Sequence, residues 1–422
     1  MTTTDNVVRP ARSTYLGIGA IVLAAITALM PGFTVGALAV PMQQDLGIAS
    51  TRFGLLLACF FAVSALASIL THRIVPRLPV PAVLAGISGL SSATMFTASR
   101  SNGAGSLVWL MVIAGLGNAL VQPVAGRFIA SEIPSERLSL ATGLVGAAFG
   151  AAPFVPGLLV ALVAAPYGWR AALTVGGILA FIVMLSAPLA RLRAGTDAGR
   201  CSGADSIVSA IRTAGQFARS NLVALRWWTL AALLGSVGVN VAATYFVQIG
   251  THSGLPIAVA GALLAAASAV AVLVRIVIGM FGDRVPERNP IMVAVMMLSG
   301  AVGLGVMTLP TPASFVLGAV LAVAGGWGWT GLLLAANMRL LPGNPARAGA
   351  AMQIGLFSGS ALSPLGYGTL VAAIGVSATV GLAALAALAG FAAVLAGGQA
   401  LLRRSFLACL ALNKSHQDNT II

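Results

Sequence analysis

Runs of about twenty apolar residues, each closed by turn residues or a charge, recur along the whole chain. A helix needs about 20 such residues to cross the hydrocarbon of a bilayer. The runs predict spans near 15 to 40, 53 to 72, 80 to 98, 106 to 130, 139 to 164, 170 to 189, 226 to 249, 257 to 280, 290 to 309, 313 to 338, 348 to 373 and 376 to 401. The expected fold class is therefore an all-α polytopic membrane protein with twelve transmembrane helices. The longest polar interruption, Arg191 to about Ala224, divides it six and six. This gives an N-terminal half at 1–190, a cytoplasmic linker at 191–225, a C-terminal half at 226–402 and a cytoplasmic tail at 403–422. Within the linker, Ile207 to Leu222 reads either as an amphipathic surface helix or as a mobile connection.

Composition supports a membrane setting: 59% of the 422 residues are hydrophobic, 8% are charged and the mean hydropathy is +1.00. The 23 basic and nine acidic residues leave a net charge of +14. Nucleic acid is not the expected partner, because the basic residues are scattered singly between apolar runs. They set direction instead. With both termini in the cytoplasm of a plasma or inner membrane, only Arg52, Arg100 and Arg170 fall outside, and Arg275 is counted at the cytoplasmic end of span 8. The first span follows Arg9 and Arg12 and reads as a retained span, not a cleaved signal.

Cys59, Cys201 and Cys409 share no metal-ligand spacing, and His72, His252 and His416 are dispersed. No metal and no cofactor are expected. No Ser/His/Asp grouping, HExxH or GxxxxGK[ST] run is present, so an enzyme is not expected either.

The two halves repeat. THRIVPR at 71–77 and GDRVPER at 282–288 occupy the loop after the second span of each half, and Arg73/Arg284, Arg77/Arg288, Pro134/Pro345 and Pro153/Pro364 all lie 211 positions apart. Such repeats are common in secondary transporters, with the substrate path at their interface. GMFGDRVPER, 279–288, packs four charges into ten residues. Gly279 would allow helices to approach closely, Asp283 can accept from helix amides or an arginine, and Arg284 and Arg288 can reach neighbouring helix ends. A solvated topology signal would look the same.

At these residues the chain resembles the major facilitator superfamily, over roughly 12–402. Gly279, Asp283, Arg284 and Arg288 match that family's loop signature between the second and third helix of a half, and the resemblance implies conformational gating there. Pro286 and Glu287 depart from the signature. The first-half copy is poorer, with Ser68 and His72 in place of Gly and Asp, so that gating by His72, Arg73 and Arg77 is weaker in charge. Pro134, Arg137, Gly143, Gly150, Pro153, Pro156 and Gly157 resemble the family's turn and fifth helix. GGWGWTGLLLAANMR, 325–339, resembles a bacterial subgroup associated with cyanate and nitroimidazole transport.

Candidate path residues are polar groups near mid-depth, where they are costly. Asn118 and Gln122 lie four apart, on one helix face, and could meet a ligand or bond other helices. In span 7, Asn240 and Gln248 share a face, while Tyr245 is either a path residue or an interfacial anchor. Trp327 and Trp329 point opposite ways, so at most one lines a path; helix packing at the nearby glycines is the alternative. Gln353 and Asn337 read as cytoplasmic path residues or caps. Arg127 snorkels to the cytoplasm or pairs with Glu132 or Glu136.

All nine carboxylates lie outside the central layer of every span. A central proton-carrying acid is thus missing, and Asp45, His72 or Asp283 would be the remaining titratable candidates. The expected function is a secondary transporter moving a small-molecule substrate through the lipid bilayer by alternating access, with or without a coupling proton or ion, complete as a monomer. Efflux of amphiphilic or drug-like compounds is the alternative within transport. A multispan membrane enzyme or sensor is the alternative outside it.

Overall fold

A computed structural model of the protein describes residues 12–132, 146–190, 219–341 and 345–418. The described residues are helical throughout, in the order α1 Arg12–Ala37, α2 Ala39–Leu46, α3 Ser50–Ile74, α4 Val80–Ser99, α5 Ala104–Ala119, α6 Val121–Glu132, α7 Gly146–Tyr167 and α8 Trp169–Leu185. Then come α9 Arg219–Thr244, α10 Phe246–His252, α11 Ile257–Arg284, α12 Asn289–Met307, α13 Pro312–Ala319, α14 Trp329–Leu340 and α15 Pro345–Asp418.

Among the described residues, ten segments are long and apolar enough to cross a membrane. The last of them, Ala351–Leu401, is two helices joined at Gly375, whose φ of 80° is a left-handed conformation that glycine adopts without strain. An eleventh apolar piece, Pro312–Val323, continues into α14 through a wide turn. These divisions agree with twelve spans. Large apolar side chains such as Leu66, Leu162, Leu185, Leu273 and Val295 stand exposed on helix faces, as lipid-facing positions require.

Several spans expected to be continuous are interrupted: the first at Leu38, the fourth at Leu120, the fifth at 152–153, the seventh at Tyr245 and the tenth at 326–328.

Two compact units are present: Met1–Arg200 with Pro256–Ala269, and Cys201–Leu255 with Val270–Ile422. In the first, α3 lies along α5 and α4 along α8, and a core formed largely by α1, α4 and α6 includes Ile21, Ala28, Leu84, Val124 and Phe128. In the second, α9 and α12 pack on α15, around Trp228, Val293, Met297, Trp329 and Leu333. Of the expected linker, 191–218 lies outside the described residues, and its last residues already belong to α9.

Within the first unit, α7 and the start of α11 touch through glycines. A Cβ on Gly157 would lie 2.6 Å from the Ala265 nitrogen and 2.7 Å from the Gly261 oxygen, and one on Gly261 2.8 Å from the Ala161 nitrogen. These are backbone atoms that cannot swing away. Gly157→Ala and Gly261→Ala should each cost about 1–3 kcal/mol through overpacking, whereas Gly126→Ala meets nothing within 4 Å. Thermal midpoints by fluorescence-detected size exclusion should fall for the first two and stay near wild type for the third.

Candidate functional site

Breaking a helix releases backbone groups that hydrocarbon cannot satisfy, so polar side chains gather where spans are interrupted. The path candidates follow that rule. Asn118 ends α5 next to the break at Leu120 and is 7% exposed; its Nδ2 donates to Ser64 Oγ at 3.1 Å, while Oδ1 has no hydrogen-bond partner. Ser64 in turn donates to the carbonyls of Phe60 and Gly115, at 2.7 and 3.2 Å. Gln122 begins α6 beyond the break and is exposed. Across the turn at Leu120, which keeps right-handed helical dihedrals, Asn118 is buried and Gln122 is exposed.

Asn240 is buried and donates to the Ser236 carbonyl at 2.9 Å and to Ser360 Oγ at 3.0 Å, joining α9 to α15. Tyr245 sits at the α9/α10 break. It is 1% exposed, donates to the Pro364 carbonyl at 3.2 Å and stacks on Tyr367 with ring centroids 3.9 Å apart. The interfacial-anchor reading of Tyr245 is therefore overturned, because the ring is enclosed between helices. Half-buried Gln248, one turn further on, has Oε1 without a partner, as does half-buried Gln353.

Trp327 and Trp329 flank the restart of the tenth span. Trp329 is 1% exposed, its Nε1 is unpartnered, and it borders a cavity of about 10 Å³ together with Gly235, Gly238, Met297, Gly300 and Gly326. That volume suits one water at most. Asn337, wholly buried in α14, has neither amide atom hydrogen-bonded.

The gating candidates divide. The side chains of His72, Arg73 and Asp283 lie outside the described residues. Arg77, Arg284 and Arg288 are exposed, with Arg284 5.9 Å from the Phe281 ring centroid. The close approach expected at Gly279 is not there: an added Cβ would meet nothing within 4 Å. It occurs at Gly282, where a Cβ would run into Leu332 and come 3.1 Å from the side-chain amide of Asn289. Gly282 lies three residues nearer the loop, where α11 turns towards α14.

Several residues at this site escaped the sequence reading. With its amide oriented so that both atoms bond, Asn289 donates to the Gly282 carbonyl at 3.1 Å and accepts from Arg339 Nη1 at 2.7 Å. This ties the ends of α11, α12 and α14. In the other half Arg127 donates to the carbonyls of Val75 and Leu78, at 2.9 and 2.6 Å. Leu78 and Asn289 are 211 positions apart, the offset of the repeat, which was the available signal. Arg275, counted at the cytoplasmic end, lies inside α11, nine residues before Arg284 and so about 13 Å along the helix.

At the opposite end of the first unit, Asp45 in the last turn of α2 pairs with Arg170 at the start of α8 and accepts from Trp169 Nε1 at 3.1 Å. Arg170 also reaches the Ser101 carbonyl and Asn102 Oδ1, both at 3.4 Å. The Arg170 hydrogen bond holds the Asp45 carboxyl below its ordinary 3.8. A carboxyl depressed in the folded state contributes stability that is present above the unfolded value and is lost as pH falls through the folded one. The thermal midpoint of Asp45→Asn should therefore lie below wild type by a constant margin between about pH 5 and 8, and the margin should close below about pH 4. A margin that changes between about pH 6 and 8 would contradict the pairing.

The comparisons with known proteins point one way. The sequence model described as Major Facilitator Superfamily matches residues 20–364. A protein of Mycolicibacterium smegmatis described as an MFS-type efflux pump is 25% identical over 295 residues, covering 66% of this chain; the match spans 65% of that relative's length. Among solved structures, a bacterial homologue of the human lysosomal transporter Spinster aligns over 95% of this chain and 99% of its own, with TM-score 0.71 and 15% identity. The peptide transporter POT aligns over 91% and 94% at TM-score 0.69 and 16% identity. The nucleoside transporter NupG aligns over 90% and 99% at TM-score 0.69 and 12% identity. At these identities the solved structures establish the shared fold.

Proposed function

The chain belongs to the Major Facilitator Superfamily, and from that premise we propose that it is a secondary transporter that moves a small solute by alternating access, with both termini cytoplasmic. It is a multi-pass membrane protein of a transporter family. The observation that carries the finer reading is the placement of polar candidates at helix breaks: Asn118 at Leu120, Asn240, Tyr245 and Gln248 around Tyr245, and Trp327 and Trp329 at 326–328. Discontinuous spans that hold polar groups at membrane depth are how secondary transporters build solute sites.

The chemistry of those groups suggests the solute. Of the candidate amide atoms without partners, Asn337 Nδ2 is a donor and the other four are oxygens: Asn118 Oδ1, Gln248 Oε1, Gln353 Oε1 and Asn337 Oδ1. A solute presenting N–H or O–H donors would satisfy them. None of the nine carboxylates falls within a candidate span, so a fixed negative charge for organic cations is not provided there. Efflux is the second reading, favoured by the relative described as an efflux pump.

In this reading the loop 282–289 is the gate, and Asp283, Arg284 and Arg288 act beside the Asn289–Arg339 tie. Asp283→Asn would remove a charge-assisted contact typically worth about 1.5–3 kcal/mol, enough to change a two-state population roughly ten- to a hundredfold. His72→Asn should do less, since no carboxylate is lost. Double electron–electron resonance between labels on the two halves should show a shifted distance distribution for Asp283→Asn; an unchanged distribution with wild-type flux would leave the loop as a topology signal.

The transport reading is tested by comparing metabolites of cells with and without the gene, then by flux into proteoliposomes. Asn240→Ala should lower flux at least several-fold with the protein still in the membrane. Imposing a proton gradient should change flux little, since no carboxylate lies within a span. Strong proton coupling lost on replacing one carboxylate would refute that energetic claim.

A further inference from the structure

The tenth span is two helices with a joint. α13 runs into a wide turn at Val320–Gly325, residues 326–328 form a turn, and α14 then begins. Carbonyls released by such a joint must find other donors inside a membrane. Leu321 O accepts from Gly326 N at 3.0 Å and from Ser299 Oγ of α12 at 3.1 Å. Trp327 O accepts from Arg275 Nη2 of α11 at 2.6 Å.

Arg275 meets the joint in two further ways. Its guanidinium carbon lies 5.7 Å from the Trp327 ring centroid, within cation–π range. Its Cγ lies against Gly328, 3.6 Å from where a Cβ would stand. One side chain thus holds the carbonyl, the ring and the backbone of the same short segment.

The first half solves the equivalent contact without charge. Ser64 and Asn118 lie 211 positions before Arg275 and Trp329, and they bond each other. The second and fourth spans of both halves therefore meet at matching positions, through a neutral pair in one half and an arginine in the other. A guanidinium inside a span is expensive, and an arginine retained there marks function more often than packing. What it adds over serine is reach and a charge-assisted bond, roughly twice as strong as a neutral one.

We propose that Arg275 is a positioning residue for transport. It keeps the two segments of the tenth span in one alignment across 326–328, so that movement at Arg339, bonded to Asn289 at the far end of α14, passes through the joint and is not absorbed there. The claim concerns a hinge and stands independently of the solute reading.

The full-length protein in lipid nanodiscs tests it. Wild type, Arg275→Met and Arg275→Lys are compared by amide hydrogen exchange. They are also compared by spin-label distances between cysteines placed at the exposed positions Val316 and Met338, on either side of the joint, with the native cysteines replaced by serine. For Arg275→Met, amides of 326–329 should exchange at least tenfold faster and the distance distribution should broaden, while amides of Asn289–Met307 and of the first turns of α11 keep their rates. Arg275→Lys, which keeps charge and a donor, should recover most of the difference. Unchanged exchange at the joint overturns the proposal. So does uniform acceleration throughout α11, α12 and α14, which would make Arg275 a packing residue only. Should Arg275→Met fail to assemble, Arg275→Gln, which keeps a donor but lacks the charge and the reach, is read by the same criteria.

Discussion

In hydrocarbon no water replaces a lost backbone hydrogen bond, and this constraint governs where the chain can depart from helix. Several of the departures seen here have side-chain donors beside them. At the break in the fourth span Thr71 Oγ1 reaches the Ala119 carbonyl at 3.4 Å, and Ser64 bonds that of Gly115 one turn earlier. In the tenth span the donors are Ser299 and Arg275. Near the seventh-span break, Tyr245 gives its hydroxyl to Pro364 of the neighbouring span. Polar side chains that a soluble protein would spend on water are thus committed to helix joints, and joints are where a span can change shape at least cost.

The same logic ties the loops. Arg127 and Arg339 both stand near the end of the fourth span of their half, and each reaches the loop after the second span. In the first half the acceptors are backbone carbonyls. In the second an asparagine side chain stands between arginine and backbone, which inserts one more hydrogen bond that can open. The repeat therefore conserves a connection while changing its chemistry, as it does where Ser64 gives way to Arg275.

The sequence made the spans legible because hydrophobic run length is a one-dimensional property, and the division at Gly375 and the turns after Ile74 and Arg284 fell where charges and turn residues stood. Interruptions within spans were not legible. Leu120 and Tyr245 are apolar or amphipathic, so a break there leaves the hydropathy profile intact. For Tyr245 residue type left path and interfacial anchor both open, because its environment is decided by Tyr367, 122 positions away in sequence. Gly279 was chosen by motif, but the close contact falls at Gly282 because Leu332 arrives from another helix. Arg275 was hidden by counting charge per loop. The depth of a basic residue depends on helix length, and α11 continues to Arg284.

Electrostatics narrows how such a machine can be driven. With no carboxylate inside a candidate span, and with Asp45 held ionised by Arg170, protonation near neutral pH has no acidic handle at mid-depth while that pair is formed. Should Asp45 and Arg170 separate in another state, the hydrogen bond that depresses the carboxyl would be lost and its affinity for a proton would rise towards the ordinary value. Proton binding at Asp45 would then favour the separated state, so any pH dependence entering there would come from the conformational equilibrium and not from a proton carried beside the solute.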